Sequence, residues 1–147
     1  MGASGEYPAQ PVVGVGGVVI SDGRALLIRR GAEPLKGRWS IPGGRLELGE
    51  TLAEGVVREL LEETGLEVRV LELIEVFERI FRDADGRLQY HYVIADYLCE
   101  RLAGEPQPGG DVTEVAFAAE NDLARFELTP TATRVVKKAF ALVRGQR

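Results

Sequence analysis

The feature that most constrains the fold is one short helix, which the sequence delimits at both ends. Thr51 and Glu54 match a capping box, so the helix is predicted over residues 51–64. Gly65 stands where a helix commonly ends, because glycine adopts the left-handed backbone conformation without strain. The apolar residues of the segment share one side and are expected to pack on a sheet: Ala53, Val56, Val57, Leu60 and Leu61.

The rest of this helix carries a cluster of glutamates. At about 100° per residue, Glu59, Glu62 and Glu63 fall within an arc of roughly 100°. Like charges at this spacing destabilise a helix unless something neutralises them. Glu50, just before the helix, can add a fourth carboxylate. Carboxylates are the ligands that Mg²⁺ and Mn²⁺ prefer, so the cluster is a candidate metal site, although three glutamates on an arbitrary helix more often form a solvated acidic face.

Strand patterns dominate the remainder of the chain. Strands are expected at residues 12–20, 25–28, 39–41, 67–81, 88–99 and 112–117, and a second helix at 129–143. Residues 83–86, with the sequence Asp-Ala-Asp-Gly, predict the turn of a long antiparallel hairpin. Because strands and helices mix without regular βαβ alternation, we expect an α/β protein with a mixed, partly antiparallel sheet and helices packed on it.

Length and composition favour one globular domain. The chain has 147 residues, of which 45% are hydrophobic and 28% charged. We expect residues 1–10 to form a flexible N-terminal lead and residues 11–147 to form the domain. No apolar run approaches the roughly 20 residues that a membrane-spanning helix needs, so no membrane partner is expected. The lead lacks the basic start and apolar stretch of a secretory signal.

Charge and cysteine content restrict the partners and the compartment. The formal net charge is −5, whereas a protein that grips a nucleic-acid backbone usually presents a basic face. Long nucleic acid is therefore not expected as a partner, while a small anionic substrate is compatible if metal ions mediate the contact. Cys99 is the only cysteine, so nothing points to an oxidising compartment, and we expect the protein to be cytoplasmic.

The segment around the first helix resembles the signature of the Nudix hydrolase family. That signature asks for Gly, five residues, Glu, seven residues, and then Arg-Glu-aliphatic-any-Glu-Glu-any-Gly-aliphatic. Every constrained position is matched, by Gly44, Glu50, Arg58, Glu59, Leu60, Glu62, Glu63, Gly65 and Leu66. Residues 37–44 are also typical of the family's approach to this motif, and the order of elements agrees from about residue 12 to 143. Such a match is far more specific than a lone three-glycine pattern.

The resemblance implies a Nudix-type α/β/α sandwich that hydrolyses a nucleoside diphosphate linked to another moiety. Carried over by position, Glu59, Glu62 and Glu63 would bind divalent cations, Mg²⁺ or Mn²⁺, with Glu50 assisting. Arg58 would hold a glutamate of the cluster in place by a charge-assisted hydrogen bond. Metal ions neutralise a pyrophosphate and lower the pKa of a bound water, which a carboxylate can then deprotonate or position for attack on phosphorus.

The identity of that base is left open. Glu59 of the motif helix is one candidate, because some members of the family use a helix glutamate. Others use an acid from a later loop, and here Asp111, Glu114 and Glu120 lie in or near that region, with Glu114 preferred. A surface acid beside a strand is an equally good interpretation of Glu114.

Several residues are candidates for contact with the substrate. Gly43 and Gly44 can bring the backbone close to a ligand. Arg29, Arg30 and Arg38 could reach its phosphates, although each is more often an ordinary surface cation. Four aromatic residues on the predicted hairpin could stack a base, yet strand aromatics usually belong to a core: Phe77, Phe81, Tyr90 and Tyr92.

The substrate class is less determined than the chemistry. We expect ADP-ribose or a nucleotide sugar first, and nucleoside triphosphates, as cut by a MutT-like pyrophosphohydrolase, second. Residues 80–83 contain neither the proline of the ADP-ribose pyrophosphatase group nor the tyrosine of the dinucleoside-polyphosphate group, which weakens both specific assignments.

Three further possibilities concern other classes of function and assembly. A non-catalytic nucleotide-sensing Nudix module would commonly have lost motif carboxylates, which this chain keeps. An RNA 5′-end pyrophosphohydrolase is disfavoured by the acidic balance. A homodimer is possible, as in many relatives, with the hairpin around residues 77–97 as the interface.

Overall fold

The computed structural model describes residues 5–145, in which seven strands, two α-helices and one 3₁₀ helix form. The strands are β1 (Val12–Ser21), β2 (Arg24–Arg30), β3 (Trp39–Ser40), β4 (Gly43–Arg45), β5 (Glu67–Arg82), β6 (Leu88–Ala103) and β7 (Val112–Ala119). The helices are α1 (Leu52–Thr64), the 3₁₀ helix (Glu120–Phe126) and α2 (Pro130–Gly145). Within this range no helix combines the length and apolar character needed to cross a membrane.

The strands share one mixed sheet that is organised around β1. Its order is β3-β2-β1-β6-β5, with β4 pairing to β1 and β7 to β2. β1 runs parallel to β6 but antiparallel to β2 and β4. The first part of β1 pairs with β4 and β6, and its last residues pair with β2, so the sheet divides into two parts at this strand.

The two α-helices pack on different apolar clusters, because successive side chains of β1 point to opposite faces of the sheet. Val15 and Val19 face the cluster that contains Val56 and Leu60 of α1. Val18 instead joins the cluster that α2 supplies with Val135, Val136, Ala139 and Phe140. The predicted α/β class, with a mixed sheet between helices, is therefore confirmed.

Both predicted ends of α1 are present. The Thr51 hydroxyl accepts a hydrogen bond from the Glu54 backbone N–H at 3.1 Å, and the Glu54 carboxylate accepts one from the Thr51 N–H at 2.8 Å. Gly65 closes the helix in the left-handed conformation with a φ of 74°.

The buried face of α1 differs from the one that periodicity predicts. Ala53, Val57 and Leu61 are exposed, whereas Glu59 is buried together with Val56 and Leu60. Gly55 explains the rotation, since it is buried on the contact face and a Cβ there would lie only 2.9 Å from the Leu46 side chain. The small Gly55 therefore lets the side of the helix that carries Glu59 face the sheet.

Two elements were not predicted from the sequence. The motif glycines form strand β4 rather than a loop, pairing with residues 14–16 of β1. The 3₁₀ helix was also missed; it buries Leu123 and Phe126, three residues apart, which is the repeat of a 3₁₀ helix and too short to give a periodic pattern.

The N-terminal lead is described only in part, because residues 1–4 lie outside the described range, as do residues 146–147 of the domain. The described part contacts the β5–β6 hairpin. The Tyr7 backbone N–H donates to the Gln89 carbonyl at 2.8 Å, and the Tyr7 hydroxyl donates to Asp83 Oδ2 at 2.8 Å. The Gln89 amide also donates to Glu6 Oε2 at 3.0 Å.

Candidate active site

The motif strand β4 lies against α1 because its glycines carry no side chains. A Cβ on Gly44 would lie 2.5 Å from the Glu59 carboxyl carbon and 2.6 Å from each of its oxygens. The Gly43 N–H donates a hydrogen bond to Glu63 Oε1 at 2.9 Å. The two glycines therefore allow two acids of the helix to reach the backbone of the sheet.

Arg58 stands at the centre of the carboxylate cluster. It binds Glu50 in a fork, with Nε donating to Oε2 at 2.6 Å and Nη2 donating to Oε1 at 2.9 Å. Its Nη1 donates to Glu59 Oε1 at 2.8 Å and to Glu62 Oε2 at 3.4 Å. Its Nη2 also donates to the Arg45 carbonyl at 3.0 Å. One cation thus offsets the repulsion among three acids that the sequence places close together.

The acids of the cluster differ in how readily they ionise. The Arg58 guanidinium, and next the Glu47 backbone N–H, lower the pKa of Glu50 to about 2. Burial raises the pKa of Glu59, although Arg58 opposes the shift. Burial also raises the pKa of Glu63 to about 7, against the hydrogen bond from Gly43. Ionising Glu59 and Glu63 therefore costs desolvation free energy, which a nearby cation would offset.

The donor set fits a hard divalent cation in kind, since it consists of the carboxylates of Glu50, Glu59, Glu62 and Glu63. Across residues 5–145, however, no three His, Cys, Asp or Glu side chains already converge as a metal site. Arg58 spreads three of the glutamates around its guanidinium, and Glu63 turns to the Gly43 N–H. Ion binding at this place requires these side chains to reorient.

A cavity of about 270 Å³ adjoins the cluster. Its lining comes from the motif end of the sheet and from the two long strands, and includes Gly43, Gly44, Glu63, Arg30, Phe77, Arg79, Tyr92, Ile94 and Asp96. This volume lies near the lower end of small-molecule sites, and the mixture of apolar walls with a few charged groups is typical of them.

The predicted substrate-binding residues fall into two groups. The motif glycines line the cavity, as does Arg30. Arg29 and Arg38 do not: Arg29 Nε donates to the Gly37 carbonyl at 3.0 Å and Arg38 Nη2 to the Glu127 carbonyl at 2.6 Å, both at exposed positions. The structure does not bring these two arginines to the cavity, because backbone carbonyls outside its lining hold them.

The later acids separate in the same way. Asp111 lines the cavity, but Glu114 does not. Glu114 faces Arg29 across the β2–β7 pair, and its half-exposed carboxylate lies 3.4 Å from the Arg29 guanidinium. Glu120 accepts a hydrogen bond from Arg144 at 2.7 Å. Glu114, the preferred candidate for the base, thus lies outside the cavity lining, because the register of β7 places it opposite Arg29, with which it forms a surface ion pair.

The aromatic candidates divide between cavity and core. Phe77, Tyr90 and Tyr92 line the cavity, and Phe81 packs edge-on against Tyr90 with centroids 6.0 Å apart. Trp39 packs edge-on against Phe126 at 5.1 Å and so supports the core beside the motif strand.

Arg79 and Asp96 are cavity residues that were not predicted. Each occupies an inward position of a long strand, where its neighbours two residues away are apolar: Phe77 and Phe81 flank Arg79, and Ile94 and Leu98 flank Asp96. A charged residue at an apolar position of a period-two pattern is the signal that could have found them, since a charge is rarely buried without a role.

Comparison with known proteins agrees with this geometry. A family model described as the NUDIX domain matches residues 10–139. A protein of Methanocaldococcus jannaschii named ADP-ribose pyrophosphatase is 38% identical over 115 residues, which is 78% of this chain and 66% of that protein. A MutT-like protein of Streptomyces ambofaciens is 36% identical over 113 residues, covering 76% of this chain and 66% of that protein. The chain thus spans just under two thirds of the length of these curated relatives.

A solved structure extends the likeness to three dimensions. The crystal structure of a MutT NUDIX hydrolase from Burkholderia pseudomallei superimposes with a TM-score of 0.73 at 31% identity. The match covers 88% of this chain and 98% of that one. This chain therefore has the same fold as that hydrolase, as the Nudix-type sandwich expected from the sequence implies.

Proposed function

Because the chain belongs to the Nudix hydrolase family, we propose that it hydrolyses the pyrophosphate bond of a nucleoside diphosphate linked to another moiety, with ADP-ribose or a nucleotide sugar as the first substrate class. The observation that carries the proposal is the contact of Glu59 and Glu63 with the glycine strand β4, beside a cavity that Gly43, Gly44 and Glu63 line. The name of the Methanocaldococcus relative supports ADP-ribose as the first compound to test.

The proposal assigns the chemistry of the reacting centre to the carboxylate cluster. Glu59, Glu62 and Glu63, with Glu50 assisting, would hold Mg²⁺ or Mn²⁺. When bound, such an ion neutralises the pyrophosphate and lowers the pKa of a coordinated water. Glu59 is the candidate for accepting the proton of the attacking water, because it lies in the cluster whereas Glu114 does not. The water oxygen bonds to one phosphorus of the pyrophosphate, and the bridging P–O bond breaks. The two separate products are a nucleoside monophosphate and the phosphorylated second moiety.

Arg58 acts in this scheme as a positioning residue rather than a catalytic one. Its fork on Glu50 and its bond to Glu59 hold both carboxylates beside β4. The Gly43 and Gly44 backbone, which lines the cavity, is then free to approach the substrate phosphates. Arg30 is the arginine of the β2 end that can meet them, since it lines the cavity whereas Arg29 does not.

The test is product release from ADP-ribose, nucleotide sugars, NADH, dinucleoside polyphosphates and nucleoside triphosphates, each with Mg²⁺, with Mn²⁺ and with chelator. Metal-dependent cleavage that Glu62→Gln abolishes and Glu67→Gln preserves would support the proposal. Glu67 is the matched control, because it is an exposed acid at the start of β5, outside the cluster. Absence of turnover with every member of the panel would contradict it and favour a nucleotide-sensing module.

The second candidate is a nucleoside triphosphate pyrophosphohydrolase. It is supported by the MutT-like name of the Streptomyces relative and by the MutT title of the Burkholderia structure. Release of pyrophosphate from a nucleoside triphosphate, with no cleavage of ADP-ribose, would favour this candidate over the first.

We also propose a homodimer through the β5–β6 hairpin. Val76 and Ile80 lie on its outward face and are each about half exposed, at 54% and 49%. Exposed apolar side chains on one face of a strand favour association, although the exposed Glu78 lies between these two. Light scattering after size exclusion checks the proposal; a monomer at every concentration, or a dimer that survives Val76→Glu with Ile80→Glu, would contradict it.

Cytoplasmic localisation is proposed on the same basis as in the sequence. Cys99 is the only cysteine of the sequence, so the chain offers no intrachain disulfide that would point to an oxidising compartment. Its thiol is buried, and burial raises its pKa to about 12, so it is an unreactive core residue. Fractionation of the native host with compartment markers would test it.

A further inference from the structure

The floor of the cavity is formed by two paired strands, and one of them lacks side chains there. Gly14 and Gly16 of β1 stand opposite Ile94 and Asp96 of β6 in the parallel register. A Cβ on Gly16 would overlap Asp96 Oδ1, and a Cβ on Gly14 would lie 3.3 Å from the Ile94 side chain. The glycines therefore leave the Asp96 carboxyl beside bare backbone on the cavity floor.

Asp96 is an unusual group for such a position. Its exposure is only 3%, although it carries an ionisable carboxyl. Burial raises its pKa to about 7, the nearby Arg79 guanidinium opposes this shift, and Glu75 adds to it. Arg79 is itself a cavity residue whose side chain passes over the Phe77 ring at 5.9 Å. A buried carboxyl that lines a cavity, and whose charged form is favoured by a cation on the next strand, can accept hydrogen bonds from a ligand.

Asp96 lies at the motif end of the cavity. It is opposite Gly16, and Gly16 is opposite Gly43, which is the residue whose N–H binds Glu63. In a nucleotide, the group next to the diphosphate is a sugar, and its hydroxyls are hydrogen-bond donors. A ligand whose diphosphate sits at Gly43 and Gly44 thus presents sugar hydroxyls where Asp96 lies.

The opposite end of the cavity carries a second and independent sign of a ligand. Tyr92 is 5% exposed, and its hydroxyl is buried without a hydrogen-bond partner among residues 5–145. The hydroxyl lies beside Gly5 of the N-terminal lead, where a Cβ would be 3.1 Å from it. Tyr92 lies two inward positions from Asp96 on β6, with Ile94 between them. A buried hydroxyl without a partner is costly, so a polar ligand group that displaces the lead at Gly5 and reaches the hydroxyl would remove that cost. Phe77, Tyr90 and Tyr92 give that end the flat apolar walls that suit a base.

We propose that Asp96 is the sugar-reading residue of this site and accepts hydrogen bonds from the ribose hydroxyls adjacent to the diphosphate, while the Tyr92 hydroxyl binds the base. The proposal rests on the function proposed above and deepens it. It makes the protein selective for ribonucleotides over deoxyribonucleotides, which also bears on the choice between an ADP-ribose substrate and a deoxynucleoside triphosphate.

The test compares binding of AMP, 2′-deoxy-AMP and 3′-deoxy-AMP by calorimetry in chelator, so that it does not depend on turnover. The wild type should bind AMP about tenfold or more tightly than at least one deoxy form, which is the size of effect expected from losing one hydrogen bond to a buried carboxyl group. Asp96→Ala should reduce that ratio toward one, and the nearly isosteric Asp96→Asn should reduce it in part, with thermal melting to verify folding.

Glu75→Gln is the matched control. Glu75 is opposite Asp96 on β5 and loses the same charge, but its carboxylate is held by Arg134 and Lys138 of α2 rather than lining the cavity. It should keep the wild-type ratio. Tyr92→Phe should weaken AMP and its deoxy forms by the same factor, because the hydroxyl is assigned to the base.

The outcomes distinguish a failure of the ribose and base contacts from a failure of the proposed hydrolase activity. Three results would overturn the sugar-reading role, even if ADP-ribose is cleaved. They are a wild-type ratio near one between the Kd of the deoxy forms and the Kd of AMP, no detectable binding of AMP, and a ratio that Asp96→Ala leaves unchanged. Unchanged binding by Tyr92→Phe would overturn the base contact. A preserved ribose preference without any metal-dependent turnover would leave this inference standing and contradict the proposed hydrolase.

Discussion

The carboxylate cluster and the cavity floor both place acids beside β1, but they accommodate the charge in opposite ways. In the cluster, Glu50, Glu59 and Glu62 share one guanidinium, and Glu62 remains largely in solvent, with 56% of its side chain exposed. On the floor, Asp96 is buried, and Arg79, which is opposite Tyr92 in the register, acts on it only through its charge. The first arrangement is the one proposed to exchange its partners for a metal ion, and the second is the one proposed to bind a ligand hydroxyl.

The origin of the two regions also differs. The cluster comes from Glu50 to Glu63, a short stretch that one helix brings together. The floor joins Gly16 to Asp96, residues far apart in sequence that meet only because β1 and β6 run parallel. If this contrast is correct, changes in the cluster should affect turnover and leave ribose preference intact, while changes on the floor should do the reverse.

The largest effect is expected from Glu62→Gln or Glu63→Gln. Each removes a carboxylate proposed to bind the metal, so kcat should fall by about 10²-fold or more. Folding should persist, with an unchanged or slightly raised melting temperature, because like-charge repulsion is relieved. Steady-state kinetics and thermal melting check this. Full activity in both variants would remove the metal assignment, and loss of folding would make these acids structural.

Arg58→Lys is expected to have the next largest effect. Lysine keeps the charge but cannot reproduce the fork on Glu50 together with the bond to Glu59, so kcat/KM should fall by about 10–100-fold. Arg69→Lys, which alters an exposed ion pair with Glu100 on the β5–β6 hairpin, should be silent. Equal activity of the two variants would show that the geometry around Arg58 does not matter for turnover.

Gly44→Ala should reduce activity by about tenfold, because the added methyl group must displace the Glu59 carboxylate. The same overlap should cost about 1–3 kcal/mol of unfolding free energy. Gly145→Ala adds a methyl group where nothing lies within 4 Å and serves as the control in denaturant titrations and kinetic assays. An active, fully stable Gly44→Ala protein would mean that β4 and α1 need not approach so closely.

The smallest effect is expected on stability, from Glu75. This residue is opposite Asp96 of the cavity floor, but its carboxylate forms ion pairs with Arg134 and Lys138 of α2. Arg134, and next Lys138, lower its pKa to about 2 in the folded protein. Because the folded pKa is below the unfolded one, near 4.3, the contribution is complete above pH 4.3 and is lost as the pH falls toward 2. With both cations half exposed, it should be about 1 kcal/mol. Glu75→Gln should be less stable than wild type at pH 7 and should approach it near pH 2; parallel curves would contradict the pairing.

Much of the fold and part of the site follow from local patterns. The ends of α1, the β1–β2 and β5–β6 hairpins and the amphipathic α2 could each be predicted, because a capping box, a turn sequence and an apolar period act over a few residues. The closeness of Glu59, Glu62 and Glu63 has the same origin, since helical spacing alone determines it.

The sequence by itself therefore determined which acids share the helix and the family to which the chain belongs. Only the tertiary structure decided which face of α1 is buried, that Glu114 pairs with Arg29, and that Asp96, Arg79 and Tyr92 line one cavity. The buried face of α1 follows from the close contact at Gly55. The Glu114 pair and the cavity lining follow from strand register, which joins residues distant in the chain. A single residue of slip would turn each of these side chains to the other face of the sheet.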